Sequence, residues 1–441
     1  MKIAHLSDLH VTAGPRLADQ AETLDGIVTE ALAAAPDLWL IVGDLFGRTV
    51  PHRSTPEERA VLYPAIVRMA QVAPVVVCVG NHDVEIDLDA LAHLGGDWPI
   101  RVVKRAEAMV VPTMAGPANL FVIPYPTKRW LLAGEDAPRS IAEQQAAVQE
   151  RLAALLQLWS VRIRHRRESH PDEPHLLVAH LQVAGSHVSG GEVLAGQEIE
   201  LTRNQLDGLP VDYGALGHLH MRQEAAHRCW YPGSPWRNDY GETDEKGWHA
   251  IEVFPPDADE ERRFRFAVTV SPQAAYPGTG DRLPVLVQRH ASTCRELVTL
   301  DYRWAADRED GAPGWLLYPS PASFAAVKRS RAEVRMRLTV PEQWVGGCPW
   351  DLEVAKLRDL GAVRILQEKK IEPVLRVRPS AVAVAAARTD REKVEAYWNT
   401  LATPPDPAEA AAALACLEEL LTTEDEAVLA TTKGLLAAGA P

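Results

Sequence analysis

Val75-Val76-Val77-Cys78-Val79-Gly80-Asn81-His82-Asp83 is the stretch that decides how this chain is read. A short run rich in valine has the composition of a strand buried on both faces, and it breaks at a glycine into a polar cluster. The pattern recurs on either side. Ile3 to Leu6 leads into Asp8-Leu9-His10, and Leu38 to Val42 into Gly43-Asp44. Leu176 to Ala179 leads into His180, and Tyr213 to Leu216 into Gly217-His218-Leu219-His220. Between the runs lie helical stretches such as Leu17 to Ala34 and Glu57 to Gln71. This is α/β alternation, in which functional groups belong at the carboxyl ends of the strands.

The chain has 441 residues, 46% hydrophobic and 24% charged, an ordinary globular composition that excludes wholesale disorder and fibrous folds. No apolar run approaches the ~18 residues of a membrane span, so no membrane partner is expected. The opening MKIAHLSDLH turns polar too early for a signal peptide. Cys78, Cys229, Cys294, Cys348 and Cys416 form an odd set with no C-x-x-C pair, which argues against a disulfide framework and for a cytoplasmic location. The net charge of −14 argues against nucleic-acid binding by overall basicity. Half of it sits in Thr389 to Pro441, with three basic and ten acidic residues, so the body is only mildly acidic.

Ser140 to Arg167 reads as one long helix whose end (Arg162, Arg164, Arg166, Arg167) is either solvated or a nucleic-acid contact. Past Phe254 the character changes. Pro255-Pro256 and an acidic stretch mark a linker or hairpin. Val334, Met336, Leu338 and Val340 then alternate with polar residues as in a half-buried strand. A helix from about Trp350, capped by Gly361, precedes a strand at Val363 to Leu366. The tail after Arg388 is Ala/Leu/Glu-rich, and its stripe Leu414, Leu417, Leu421 is too narrow for an independent core.

Jointly the polar clusters carry chemistry. Asp8 and His10 stand at i, i+2, as do His218 and His220, which on a strand puts both side chains on one face. Asp44, Asn81 and His180 each add a ligand-type group. Seven N/O ligands and no thiolate suit Mn²⁺, Fe²⁺ or Zn²⁺. Seven are too many for one catalytic ion and suit two that share a carboxylate. Two ions ~3.5–4 Å apart can clamp a phosphoryl group and acidify water.

The order D-x-H, G-D, G-N-H-D, H, G-H-x-H resembles the calcineurin-like metallophosphoesterase superfamily. That resemblance implies an α/β fold: a layered β-sandwich with flanking helices, plus a small α+β capping domain and a helical C-terminal tail. The corresponding boundaries are residues 1–254 for the dimetal phosphoesterase domain, 285–380 for the DNA-capping domain and 389–441 for a partner-docking tail. It also implies that Asp8, His10, Asp44 and His220 hold one ion, and that Asp44 (the bridge), Asn81, His180 and His218 hold the other. His82 would stabilise charge on the phosphate or protonate the leaving oxygen, with Asp83 as its orienter. Ala179-His180-Leu181 through Ser189-Gly190-Gly191, and Tyr231-Pro232-Gly233-Ser234-Pro235 through Asp239-Tyr240-Gly241-Glu242, are similar to SbcD-type nuclease subunits. Some relatives carry a histidine three residues after the bridging Asp. Here that position is Gly47, and Arg48 or His52 is the substrate-binding candidate instead.

The reading is therefore a Mn²⁺-dependent DNA exonuclease and endonuclease, partnered by an SbcC-like SMC-type ATPase and forming a homodimer. Lys328-Arg329-Ser330-Arg331, Arg335 and Arg337 are local basic candidates for DNA. The rivals are a phosphomonoesterase or cyclic-nucleotide phosphodiesterase on the same scaffold, and a DNA-tethering scaffold without catalysis.

Overall fold

A computed structural model of the chain describes residues 1–47, 53–127, 140–190, 199–256, 274–279, 282–305, 314–317, 321–341, 350–372, 379–399, 401 and 405–422. Met1–Leu338 with Pro349–Lys369 make one compact unit, and Thr339–Cys348 with Lys370–Pro441 a second.

The first unit is built on two packed sheets. One has seven strands, in the order Ala274–Tyr276, Val285–Ala291, Gly247–Val253, Lys2–Ser7, Leu38–Val42, Val75–Cys78 and Ile100–Val103. The other has six: Gln223–Ala226, Cys229–Tyr231, Tyr213–Gly217, His175–His180, Gly116–Ile123 and Glu107–Thr113. The strands carrying the polar clusters run parallel to their neighbours within each sheet, from Lys2–Ser7 through Val75–Cys78 and from His175–His180 to Tyr213–Gly217. The expected boundary at 254 cuts the first sheet, because Val285–Ala291, placed by sequence in the capping domain, pairs antiparallel with Gly247–Val253.

Alternation explains the layering. Leu38, Leu40 and Val42 face a core shared with Leu120, Val122, Leu176 and Val178 of the other sheet. Trp39 and Ile41 face the opposite way, onto helices Leu17–Ala33 and Pro56–Ala70. On the far side, Phe121, Ile123, Leu177 and Ala179 pack against Val148, Leu152, Leu156, Trp159 and Ile163, one stripe of the helix Ile141–Ser169. Strands covered on both faces need unbroken apolar runs, which is why these read so plainly. The result is helix, sheet, sheet, helix, as the sequence implied.

Ser140 starts the long helix with a capping box to Glu143. At its other end Arg162 and Arg164 are exposed, whereas two of the arginines are engaged within the fold. Arg166 pairs with Glu173 at 2.9 Å. Arg167 is buried and reaches both oxygens of Asp212 at 3.0 Å, while Asp212 also accepts from the backbone N–H of His175 and Leu283.

A four-stranded sheet follows, ordered Gly314–Leu317, Leu297–Ala305, Glu333–Pro341 and Arg364–Glu372. Val334, Met336, Leu338 and Val340 are buried, as their alternation predicted. The helix Trp350–Asp359 ends as expected at Gly361, whose φ is +103°. Gly361 N–H bonds the carbonyl of Arg358 and Ala362 N–H that of Leu357, a Schellman closure. Of the basic candidates, Arg337 pairs with Asp301 at 2.7 Å, and Arg335 lies over the Tyr240 ring and bonds Thr299. Lys328 and Arg331 are exposed.

In the second unit, helices Pro379–Ala386, Asp390–Trp398 and Pro407–Thr422 carry the tail, and Arg391 links the latter two through Glu418 at 2.7 Å. Leu414 and Leu417 are half-buried, and the side chain of Leu421 is outside the described residues. Among the described residues, no helix is long and apolar enough to cross a membrane.

Removing one partner of a buried ion pair leaves the other charge uncompensated, at a cost of about 3–5 kcal/mol. Asp212→Asn and Arg167→Ala are each expected to lower unfolding stability by that order in a urea titration. A loss under about 1 kcal/mol would show the pair to be dispensable.

Candidate metal centre

The carboxyl ends of the two sheets meet at one edge. Val42 is in register with Ser7 and Cys78, and Gly217 with His180. Two of the strands stop just before their ligands: Lys2–Ser7 ends before Asp8, and Tyr213–Gly217 before His218. Alternation along a strand therefore does not bring Asp8 to His10 or His218 to His220. Turning of the backbone brings Asp8 to His10. Asp8, His10, Asp44 and His218 have φ of +53°, +44°, +52° and +110°, in the region that non-glycine residues rarely adopt. Such strain persists where the surroundings over-determine it, and here it falls on the polar clusters. The loops are laced together by Asp8 N–H to the carbonyl of Gly43 and His10 N–H to that of Asp44, at 3.1 and 2.8 Å.

Close approach explains two of the glycines. A Cβ on Gly43 would lie 2.0 Å from His180 Nδ1, and one on Gly80 would lie 2.1 Å from Asp44 Oδ1. Gly43 also has a φ of +77°.

Asp44 is the hub. Its Oδ2 lies 3.3 Å from His180 Nε2, 3.7 Å from His10 Nε2 and 3.9 Å from His82 Nε2. Its Oδ1 accepts the His82 backbone N–H at 2.8 Å. Asn81 Oδ1 stands 3.1 Å from both His180 Nε2 and His218 Nδ1. Among the described residues, three clusters are compact enough to hold a cation: Asp8, His10 and His220; Asp44, His180 and His218; and His10, Asp44 and His82. The first two each contain three of the four residues that the sequence reading gave to one ion, and the third adds His82 between them.

Hydrogen bonding shows that these groups suit a cation. His10 Nδ1 faces the carbonyl of Gly47, His180 Nδ1 that of Val42 at 2.8 Å, and His220 Nδ1 the Glu242 carboxylate at 2.7 Å. Each acceptor fixes the proton on Nδ1 and turns the Nε2 lone pair inward. His10 Nε2 and His220 Nε2 then face each other at 3.0 Å, two acceptors that repel unless a cation or proton lies between them. Burial lowers His10 and His218 to about 3, so both are neutral imidazoles, the form that ligates. Burial opposes charge on His180 as well, but Asp44, Asp8 and the Val42 carbonyl together outweigh it and raise His180 to about 9. Burial would push Asp44 up, yet His180, His10 and His82 hold it well below the ordinary carboxylate range.

Asp83 is not placed as the orienter of His82. Its carboxylate accepts the backbone N–H groups of Gly80, Asp44 and Leu45 at 2.8–2.9 Å and that of Phe46 at 3.4 Å, clamping two ligand loops together. Burial and then the charge of Asp44 raise it to about 7. His82 Nδ1 has no partner among the described residues, and its ring packs edge-on to His10 at 4.9 Å. Arg48 and His52 lie outside the described residues. Two contributors were not foreseen. Tyr125 walls the site, its ring 5.5 Å from that of His218. Glu242 is buried, pairs with His220 and Lys246, and is held down to about 2 although burial opposes it. A carboxylate in the segment following the last ligand strand was the available signal for it.

A family model described as calcineurin-like phosphoesterase matches residues 1–222, which contain every foreseen ligand. The chain belongs to the calcineurin-like phosphoesterase family. It is a metal-dependent phosphoester hydrolase by that membership, and the three His/Asp clusters point to divalent ions as its cofactors. Among solved structures, it is similar to one titled "GAP50 the anchor in the inner membrane complex of Plasmodium", at 12% identity and a TM-score of 0.34, over 57% of this chain and 80% of that one.

Two outcomes are expected of this phosphoesterase site. Below about pH 9 a proton on His180 must leave before its Nε2 can ligate, so metal affinity should rise with pH and level off above that value. Calorimetry in buffers of different ionisation enthalpy would register the released proton; pH-independent uptake would refute this. Gly43→Ala should displace the His180 ring and abolish uptake of at least one ion, read as metal content after dialysis.

Proposed function

We propose that this phosphoesterase is a DNA nuclease, the SbcD-like subunit of a DNA-end-processing complex. The observation that carries the reading is the segment after the last ligand strand. Tyr231 to Glu242, the stretch similar to SbcD-type subunits, folds back on the metal centre so that Glu242 grips His220. The four-stranded sheet fits the expected capping element, and the acidic chain fits a subunit whose ATPase partner supplies much of the phosphate-binding surface. The partner on this reading is an SbcC-like SMC-type ATPase, docked by the helical tail, with the nuclease as a homodimer in the cytoplasm and Mn²⁺ as the metal.

Two bound divalent ions would polarise the scissile phosphate and acidify water at neutral pH. The protein's part is to aim the ligands. His10, His180 and His220 hold their Nε2 lone pairs inward by the bonds described, and Asp8, Asp44, Asn81 and His218 complete the two ligand groups. His82, 18% exposed and next to Asp44, is the residue able to deliver a proton to the departing sugar oxygen.

Linear duplex DNA with Mn²⁺ should release nucleotides, and His82→Gln should slow release by about 10²–10⁴-fold, the range for one acid–base group. Bis(p-nitrophenyl) phosphate run in parallel separates the rivals. Turnover of that diester with DNA untouched, even with the ATPase and ATP added, would return the chain to the small-molecule esterases. An Asp44→Asn chain that supports the complex in full would favour the tethering scaffold.

A further inference from the structure

Glu333 lies at the start of the strand Glu333–Pro341, far in sequence from the ligands, yet its carboxylate is buried among groups belonging to the ligand loops. It accepts Arg16 Nε at 3.2 Å through both oxygens and Arg16 Nη2 at 2.9 Å. It also accepts the Tyr240 hydroxyl at 2.7 Å and Arg364 Nη1.

Each of these partners leads to a metal-ligand loop. Arg16 precedes the helix Leu17–Ala33, whose Gln20 bonds Thr12 N–H through Oε1 and the carbonyl of His10 through Nε2. Arg364 also bonds the carbonyl of Pro15. On the other side, Tyr240 belongs to a turn in which Asn238 N–H bonds Glu242 Oε2 at 3.0 Å, while Glu242 Oε1 holds His220. Arg16 Nη1 closes the ring on the Asn238 carbonyl at 3.1 Å. Thus the loop bearing His10 and the turn supporting His220 meet on one carboxylate, and these two histidines face each other at 3.0 Å. Arg16 and Arg364 line a cleft of about 270 Å³ beside Thr12 and Gly14. The bonds just described already engage both of them, so the cleft is built as a joint.

We propose that Glu333 is a positioning residue for the metal centre: it holds the His10 and His220 loops in register and so sets the affinity of one of the two ions, the one bound by Asp8, His10 and His220. The proposal rests on the two-ion reading above.

The test is a Mn²⁺ titration of the metal-free full chain, with free Mn²⁺ followed by electron paramagnetic resonance. Wild type should take up two ions. Glu333→Gln should weaken one of them by about tenfold or more, the scale for partners that orient metal ligands, and leave the other unchanged. Tyr240→Phe, which removes one hydroxyl and no charge, should weaken the same ion to a lesser extent. Asp301→Asn disturbs a different ion pair of the same sheet, to Arg337 at 2.7 Å, and should change neither. Because Glu333 and Glu242 act through the same histidine, Glu333→Gln and Glu242→Gln should be less than additive. Equal weakening of both ions, unchanged affinities, strict additivity, or the same loss in Asp301→Asn would each overturn the proposal. A wild type that binds two ions and leaves DNA intact would refute the nuclease and leave Glu333's role standing.

Discussion

The negative charge of Asp44 organises the edge where the two sheets end. A carboxylate only 2% exposed is costly to bury unless positive partners surround it, and this one has three histidine nitrogens within 4 Å of a single oxygen. Those histidines come from separate loops, so the strands beneath must deliver their ends to one place. The paired sheets, the parallel registers and the close approach at Gly43 and Gly80 all serve that requirement. Three of the ligating rings are in turn held from behind by a carbonyl or a carboxylate, so the lone pairs are aimed before any ion arrives.

Pre-aiming has an electrostatic cost that the metal-free protein meets with a proton. His180 rises to about 9 although buried, because Asp44 and Asp8 leave the cluster otherwise short of positive charge. Asp83 works in the opposite sense, as an acceptor for backbone N–H groups from the Asp44 and Gly80 loops. The site is thus a balance of a few buried acids against a ring of imidazoles, closed off by the Glu242–Lys246 pair beneath His220.

Much of this was legible in the residues. Strands buried on both faces write themselves as continuous apolar runs, and a ligand at a strand end is local in sequence, so the clusters from Asp8 to His220 could be read off one after another. What was misread or missed depends on distance along the chain. Asp83 sits next to His82 in sequence, yet its oxygens serve a loop 38–39 residues away. The link from Glu333 to Arg16 spans 317 residues, and nothing local to either residue announces it. The i, i+2 spacing was read as strand alternation, yet Asp8 and His10 meet through left-handed backbone turns, and His218 and His220 fall into different clusters. Arg167, at the end of the long helix, looked like surface charge because its partner Asp212 is not part of that helix, while Arg162 and Arg164 are exposed.

The seven-stranded sheet also bears on how the protein is made. Its second-lying partner for the opening strand is not a neighbour: Lys2 pairs with Glu252 and His5 with His249. At a synthesis rate of about 5–20 residues per second, the first ligands emerge from the ribosome on the order of tens of seconds before that strand exists. His218, His220 and the Glu242 that steadies His220 come late as well. A nascent chain therefore carries Asp8, His10 and Asp44 without the groups that turn them into a hydrolytic centre, and the enzyme becomes competent only once its sheet is nearly closed.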